Sequence, residues 1–202
     1  MTDTIQGPDG MHRCRWCGEV PEFRPYHDAE WGFPVADDIR LFEKLCLESF
    51  QSGLSWRTIL NKRDSFRAGF AGFDFHRVAA FDAHDVARLL GDAGIVRHRG
   101  KIEAVINNAA RCVELVAAEG SLAAYVWRFE PAPQDLGAPQ SASTSAASVA
   151  LSQDLKKRGW KFVGPTTVYA FMQAMGLIND HALGCARRQP AAAARLAFVP
   201  PV

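Results

Sequence analysis

Residues 100–116 read GKIEAVINNAARCVELV, and this stretch decides the fold class. Ile102, Val105, Ile106, Ala109, Cys112, Val113 and Val116 keep the 3.6-residue period of a helix over four turns, which leaves one apolar face to bury. The same period recurs on either side. Asp37 stands as an N-cap before a helix reaching about Phe50, in which Leu41, Phe42, Leu45 and Cys46 form one stripe. Glu48 falls seven residues after Leu41, at the margin of that stripe, so its carboxylate points towards protein rather than freely to water. Ser55 caps a further helix through about Phe66, and Gly72-Phe73-Asp74 and Ala83-His84-Asp85 start shorter ones. Residues 149–158 and 165–175 form a last helix pair, the second with Val168, Phe171, Met172 and Met175 on one face. No stretch alternates as a strand would, and no internal repeat is found. The predicted class is all-α.

A chain of 202 residues suffices for one domain or for two small lobes sharing a core. The domain is expected over residues 11–186, with residues 1–10 and 187–202 as flexible tails and the Pro-, Ser- and Ala-rich 130–148 segment as an exposed loop. The net charge of +1 excludes a globally basic nucleic-acid binder and leaves only local patches for that purpose. The first residues have neither the basic start nor the apolar run of a secretory signal, and no apolar segment approaches the roughly 20 residues of a membrane span. The expectation is a cytoplasmic monomer. Five cysteines, an odd number in a reducing compartment, favour thiols or metal ligation over disulfides.

Three groups of residues carry chemistry. The first is the corner Lys156-Lys157-Arg158-Gly159-Trp160-Lys161-Phe162-Val163-Gly164-Pro165-Thr166-Thr167. Two glycines bracket a turn, Pro165 suits the first helical position, and the N–H groups and hydroxyls of Thr166 and Thr167 face outward with the positive end of the dipole. Such a corner, with Lys161 and its basic neighbours, binds phosphate without reading sequence; the plainer alternative is an ordinary solvated corner. The second group is Cys14, Cys17 and His27 near one end of the chain, with His181 and Cys185 near the other. Two ligands from each end would make a closed tetrahedral Cys2His2 site, and spacing alone does not choose between Cys14 and Cys17. The third is Trp16, Tyr26, Trp31 and Trp56 around Glu48. Flat rings sandwich a base drawn out of a duplex, and a carboxylate accepts hydrogen bonds from its exocyclic amine. A cationic base gains further from the rings and from the carboxylate.

These segments also carry a family resemblance. Tyr26-His27-Asp28-Ala29-Glu30-Trp31-Gly32, Leu47-Glu48, Gly53-Leu54-Ser55-Trp56, AGIVRHRGKI at 93–102, RGWKFVG at 158–164 and GLINDH at 176–181 followed by Cys185 resemble the 3-methyladenine DNA glycosylase I family, over about residues 11–185. The resemblance implies a helix-hairpin-helix glycosylase fold and a structural zinc joining the N- and C-terminal segments on Cys14, His27, His181 and Cys185. It places base recognition on Tyr26, Glu48 and Trp56 and phosphate binding on Gly159 to Gly164; the aromatic grouping adds Trp31 as a further substrate-binding residue. It implies a monofunctional enzyme that excises 3-methyladenine from alkylated double-stranded DNA, with Glu48 as the catalytic carboxylate. Ser49-Phe50 departs from the pattern, and Asn179 falls where the wider superfamily places an aspartate, with Asp180 as a secondary candidate. The rival readings are a non-catalytic DNA-binding module, a glycosylase for another damaged base and a zinc hydrolase; the last lacks any His-Glu-x-x-His pattern.

Overall fold

The structure, a computed structural model, describes residues 3–18 and 20–202. Its centre is the helix α3 (Asp38–Gln51), whose cap is Asp37: the Asp37 side chain accepts from Arg40 N at 2.8 Å. Every residue from Leu41 to Phe50 is buried, a wider face than one stripe, because other helices close on α3 from several sides. The buried charged members of that run each have a partner: Glu43 pairs with the half-exposed Arg67, and Lys44 with Glu48. Phe50 packs on Phe66 with ring centroids 4.6 Å apart, and Phe70 stacks on Phe73 at 5.5 Å, building an aromatic core beside the helix.

Around this axis the chain is mostly helical. A hairpin of β1 (Thr4–Gln6) and β2 (His12–Cys14) leads into α1 (Arg15–Gly18) and α2 (Arg24–Ala29). Ser55 caps α4 (Trp56–Asn61), and the helix expected to run on to Phe66 instead breaks at Lys62 and restarts as α5 (Arg63–Gly69). Short helices α6 (Phe75–Val78) and α7 (Ala83–Gly91) precede the long α8 (Arg99–Glu119), which His98 caps by accepting from Lys101 N. Then come α9 (Leu122–Trp127), α10 (Ala146–Lys157), α11 (Pro165–Ala174) and α12 (Arg188–Ala197).

The differences from the sequence reading lie mainly at the ends. No element was expected before Met11 or after Arg187, yet β1 pairs with β2 and α12 packs on the body. In α12 the buried Ala191 and the pairing of Arg195 with Glu130 fix the helix, and Phe198 beyond it lies 4.6 Å from Trp127. Three-residue strands are too short to show alternation, which is why the sheet escapes a periodicity search. Among the described residues no helix is long and apolar enough to cross a membrane.

Candidate active site and metal centre

β2 and α2 bring Cys14 and His27 to the segment after α11, where His181 and Cys185 wait. All four side chains are buried, and their ligand atoms lie within 4.8 Å of one another. Cys14 Sγ is 3.7 Å from His181 Nδ1, and Cys185 Sγ is 3.5 Å from His181 Nδ1 and 3.6 Å from His27 Nε2. A tetrahedral ion about 2.3 Å from sulfur and about 2.0–2.1 Å from nitrogen would hold such atoms about 3.6 Å apart, so the donor set fits a metal. The outer partners choose which nitrogen faces the centre. His181 Nε2 is 3.0 Å from the carbonyl of Trp31, which only accepts, so Nε2 carries the proton and Nδ1 is left for the centre. His27 Nδ1 lies 2.7 Å from Asp28 Oδ1, and Asp28 is held in turn by Arg13 Nη2 at 2.8 Å, leaving Nε2 facing Cys185. A hydrogen bond from Cys14 pulls the Cys185 thiol well below its usual range, against burial and with help from both imidazoles. Gly32 makes room for this packing, since with φ at +85° a Cβ there would lie 3.0 Å from His181 Nε2. Of the two cysteines the spacing left open, the group of four contains Cys14 and not Cys17.

Next to this centre is a cavity of about 600 Å³ lined by Trp16, Tyr26, Trp31, Glu48 and Trp56, with Gln140, Gln173 and Asp180 on its wall. Trp31 belongs to both sites, its ring 4.7 Å from that of His181 and 5.1 Å from that of Trp16. Glu48 is 6% exposed and does not stand alone: Lys44 Nζ lies 2.6 Å from its Oε1. The same ammonium donates to Tyr26 Oη at 2.7 Å and sits 3.4 Å from the centroid of Trp56. Burial pushes the Lys44 pKa down against the pull of Glu48, and burial, with Glu48 nearby, pushes the Tyr26 phenol well above its ordinary value. Ser49 and Phe50 turn away from this cavity. Phe50 is in the core, and the Ser49 hydroxyl bonds the carbonyls of Leu45 and Phe162.

The corner between α10 and α11 is held rigidly from behind. Gly159, with φ at +83°, closes α10 as a Schellman turn: Trp160 N donates to Leu155 O and Gly159 N to Lys156 O. Asn108 of α8 grips the Lys161 backbone from both sides, donating to its carbonyl at 2.9 Å and accepting from its N–H at 2.8 Å. Ser152 donates to Val163 O at 2.6 Å and Asn107 to Gly159 O at 2.9 Å. Lys161 and Thr166 are exposed, and a Cβ at Gly164 would touch nothing of the protein, so this outer surface is open to an outside group.

The sequence family described as methyladenine glycosylase matches residues 16–188. The chain belongs to that family. It is 49% identical over 179 residues to DNA-3-methyladenine glycosylase 1 of Escherichia coli strain K12, covering 87% of this chain and 96% of the relative. To the DNA-3-methyladenine glycosylase of Haemophilus influenzae it is 43% identical over 177 residues, 86% of this chain and 96% of the relative. A crystal structure of a 3-methyladenine DNA glycosylase I, 48% identical, superposes with a TM-score of 0.81 over 86% of this chain and 98% of its own. The Staphylococcus aureus glycosylase solved to explain 3-methyladenine recognition is 36% identical, with a TM-score of 0.82 over 87% of this chain and 96% of its own.

In this methyladenine glycosylase the aromatic residues and Glu48 singled out in the sequence line one cavity, and the four expected metal ligands form one cluster. Two features of the site have no counterpart among the sequence expectations, and for a third the structure reverses the order of two candidates. Lys44 is one helical turn before Glu48, an i, i+4 pair that the sequence does display. Gln140 comes from the low-complexity loop, and no local pattern announces it. Asp180, rather than Asn179, reaches the cavity wall, where its carboxylate accepts from Gln140 N at 2.8 Å and Gln173 Nε2 at 2.6 Å. Burial raises the Asp180 pKa, while Asn179 turns away to donate to Arg188 O.

Proposed function

We infer that this chain is a DNA repair glycosylase that flips 3-methyladenine out of alkylated DNA and hydrolyses its N-glycosidic bond. The observation that carries the reading is the aromatic cavity with Glu48 in its wall, in a chain matching DNA-3-methyladenine glycosylases over nearly their whole length. A duplex hides the bond to be cut, so the nucleotide must leave the stack, and rings such as Trp56 and Tyr26 replace the stacking it loses. Adenine methylated at N3 is a cation within the nucleotide. When the bond from the sugar carbon to N9 breaks, its electron pair neutralises the purine, and the base departs without needing a proton. Water supplies the new bond to the sugar carbon and gives its proton to solvent. The protein's task is therefore to extrude, hold and align, with Glu48 recognising the base and opposing the positive charge of the transition state.

The α10–α11 corner serves as the helix-hairpin-helix element: Gly159, Lys161, Gly164, Thr166 and Thr167 hold backbone phosphates of the double strand. The open space at Gly164 and the outward N-terminus of α11 support that assignment. Zinc is the metal that a Cys2His2 set best suits, and with four protein ligands on Cys14, His27, His181 and Cys185 it would supply folding energy and no chemistry. Base release decides the activity. Alkylated duplex DNA is incubated with the protein and the freed bases are separated by chromatography; 3-methyladenine should appear with the intact protein and fall sharply with Glu48→Gln. Lesion-independent binding without any released base would identify a binding module, and release of a different base would redirect the assignment.

A further inference from the structure

We propose that a second cavity, between the 130–139 loop and α12, binds a small neutral molecule with an apolar body and a carbonyl-type acceptor. This cavity measures about 400 Å³ and shares only Asp180 with the aromatic one. Sites for small molecules run from about 300 to about 1,000 Å³, so the space is sufficient. Ala192, Arg195 and Leu196 of its wall come from α12, beyond residue 188, where the glycosylase match ends. Tyr169 is the observation that carries the proposal. It is 5% exposed and lines the cavity, yet among the described residues its hydroxyl has no hydrogen-bond partner. A buried hydroxyl left unpaired is unfavourable, and an acceptor in the cavity would relieve it.

Arg188 supplies further donors. Its Nη1 donates to the carbonyls of Asn179, at 3.2 Å, and His181, while Nε and Nη2 have no partner among the described residues. The other polar groups of the wall are already matched. Arg195 occupies both oxygens of Glu130, Asp180 accepts from Gln140 N at 2.8 Å and Gln173 Nε2 at 2.6 Å, and the Asn179 amide donates to Arg188 O at 3.0 Å. What remains is the phenolic O–H and the guanidinium N–H groups, which call for an acceptor such as a carbonyl oxygen with its two lone pairs. The charges decide against an ion. Arg188 and Arg195 stand against Glu130 and Asp180, so no net charge is left to offset the desolvation of a charged ligand. The rest of the wall is apolar, with Pro131, Pro133, Leu136 and Ile178 inside. Leu196, 90% exposed at the rim, offers apolar surface for a ligand to cover.

The test titrates the full chain, by calorimetry, with three probes of nearly one shape: 2-acetylnaphthalene, 2-ethylnaphthalene, which lacks the acceptor, and 2-naphthoate, which is charged. The ketone should bind about tenfold or more tighter than either of the others. Tyr169→Phe removes one oxygen and should cut the advantage of the ketone over the hydrocarbon about three- to tenfold, with the hydrocarbon unchanged within about twofold. Arg188→Lys keeps the charge and a donor for the two carbonyls but loses the spare N–H groups, and should act in the same direction. Ala192→Trp fills the cavity and should abolish binding of all three probes. Tyr169→Phe carries the measurement if Ala192→Trp does not fold. No binding to the wild type, or equal affinity for ketone and hydrocarbon, overturns the proposal. Tightest binding of the carboxylate overturns the neutral ligand class. Ketone binding that survives Ala192→Trp and disappears in Trp56→Ala places the probe in the aromatic cavity and overturns the second site.

Discussion

His181 gives its Nε2 proton to the backbone carbonyl of Trp31 at 3.0 Å, and the indole of that same Trp31 lines the aromatic cavity. The Cys2His2 cluster and the aromatic cavity thus share one residue. Loosening the first should be felt in the second even though none of the four cluster residues lines the cavity.

Stripping the metal with a chelator, or making His181→Ala, is therefore expected to lower thermal stability and, secondarily, binding of free 3-methyladenine. Structural zinc contributes about 10–16 kcal/mol to small metal-dependent peptides. Even about 4 kcal/mol here would lower the Tm by about 8–16 °C for a domain of this size. Scanning calorimetry with and without chelator checks it; an unchanged melting profile would sink the structural role.

Glu48→Gln should slow excision about 10- to 100-fold, or about 1.4–2.8 kcal/mol of transition-state stabilisation. The structure supplies a second reason for the direction: the exchange leaves Lys44 unpaired opposite a cationic substrate. Breaking a buried pair costs about 3–5 kcal/mol when the survivor stays charged, and Lys44 can escape part of that by shedding its proton. A modest drop in Tm is expected alongside the rate loss. Single-turnover kinetics matching the wild type would remove Glu48 from the chemistry.

Trp56→Ala should weaken binding of the free base by about 1–3 kcal/mol, the usual worth of a base stacked on an aromatic ring. Affinity for undamaged duplex should hardly move. Calorimetry on the free base and a duplex titration separate the two effects.

Asn108→Ala removes both clamps on the Lys161 backbone, and Lys161→Ala removes the exposed charge itself. Both are expected to weaken binding to all duplexes alike, and the loss of charge should also make the salt slope shallower by about one unit. Titrations at several salt concentrations on unrelated sequences would show a sequence-dependent loss if the corner instead read bases.

At alkaline pH the sign is fixed by Tyr26. Burial first, then Glu48 and Glu30, hold its phenol well above 10, so the folded chain keeps a proton that the unfolded chain releases. Stability is unaffected below pH 10 by this group and falls as pH rises beyond it. Tyr26→Phe should flatten that fall by up to about 1.4 kcal/mol per pH unit, read from urea melts between pH 9 and pH 11.

Much of this was legible in residue order, for stated reasons. Asp37 and Ser55 declare helix starts because few other residues satisfy orphan N–H groups, and both do cap. The long α8 shows itself because one of its faces is wet. The helix α9 does not, since all six of its residues are buried and no polar face sets a period. It begins where Asp38, next to the Asp37 cap, reaches across to accept from Leu122 and Ala123 N–H, a contact no local window holds. The hairpin of Thr4–Gln6 and His12–Cys14 was hidden by its brevity, although Gly7-Pro8-Asp9-Gly10 is a turn sequence. Gln140 enters the pocket through a loop whose composition predicts only exposure.

The cluster of Cys14, His27, His181 and Cys185 also imposes an order in time. At about 10 residues per second, Cys14 leaves the site of synthesis roughly 17 s before Cys185 does. During that interval the nascent chain carries half a cage, with a thiol and an imidazole but no partners to enclose an ion. Closure waits until His181 and Cys185 have been added, and a ribosome stalled short of Cys185 holds a chain that cannot join the Cys14 and His27 segment to its partners.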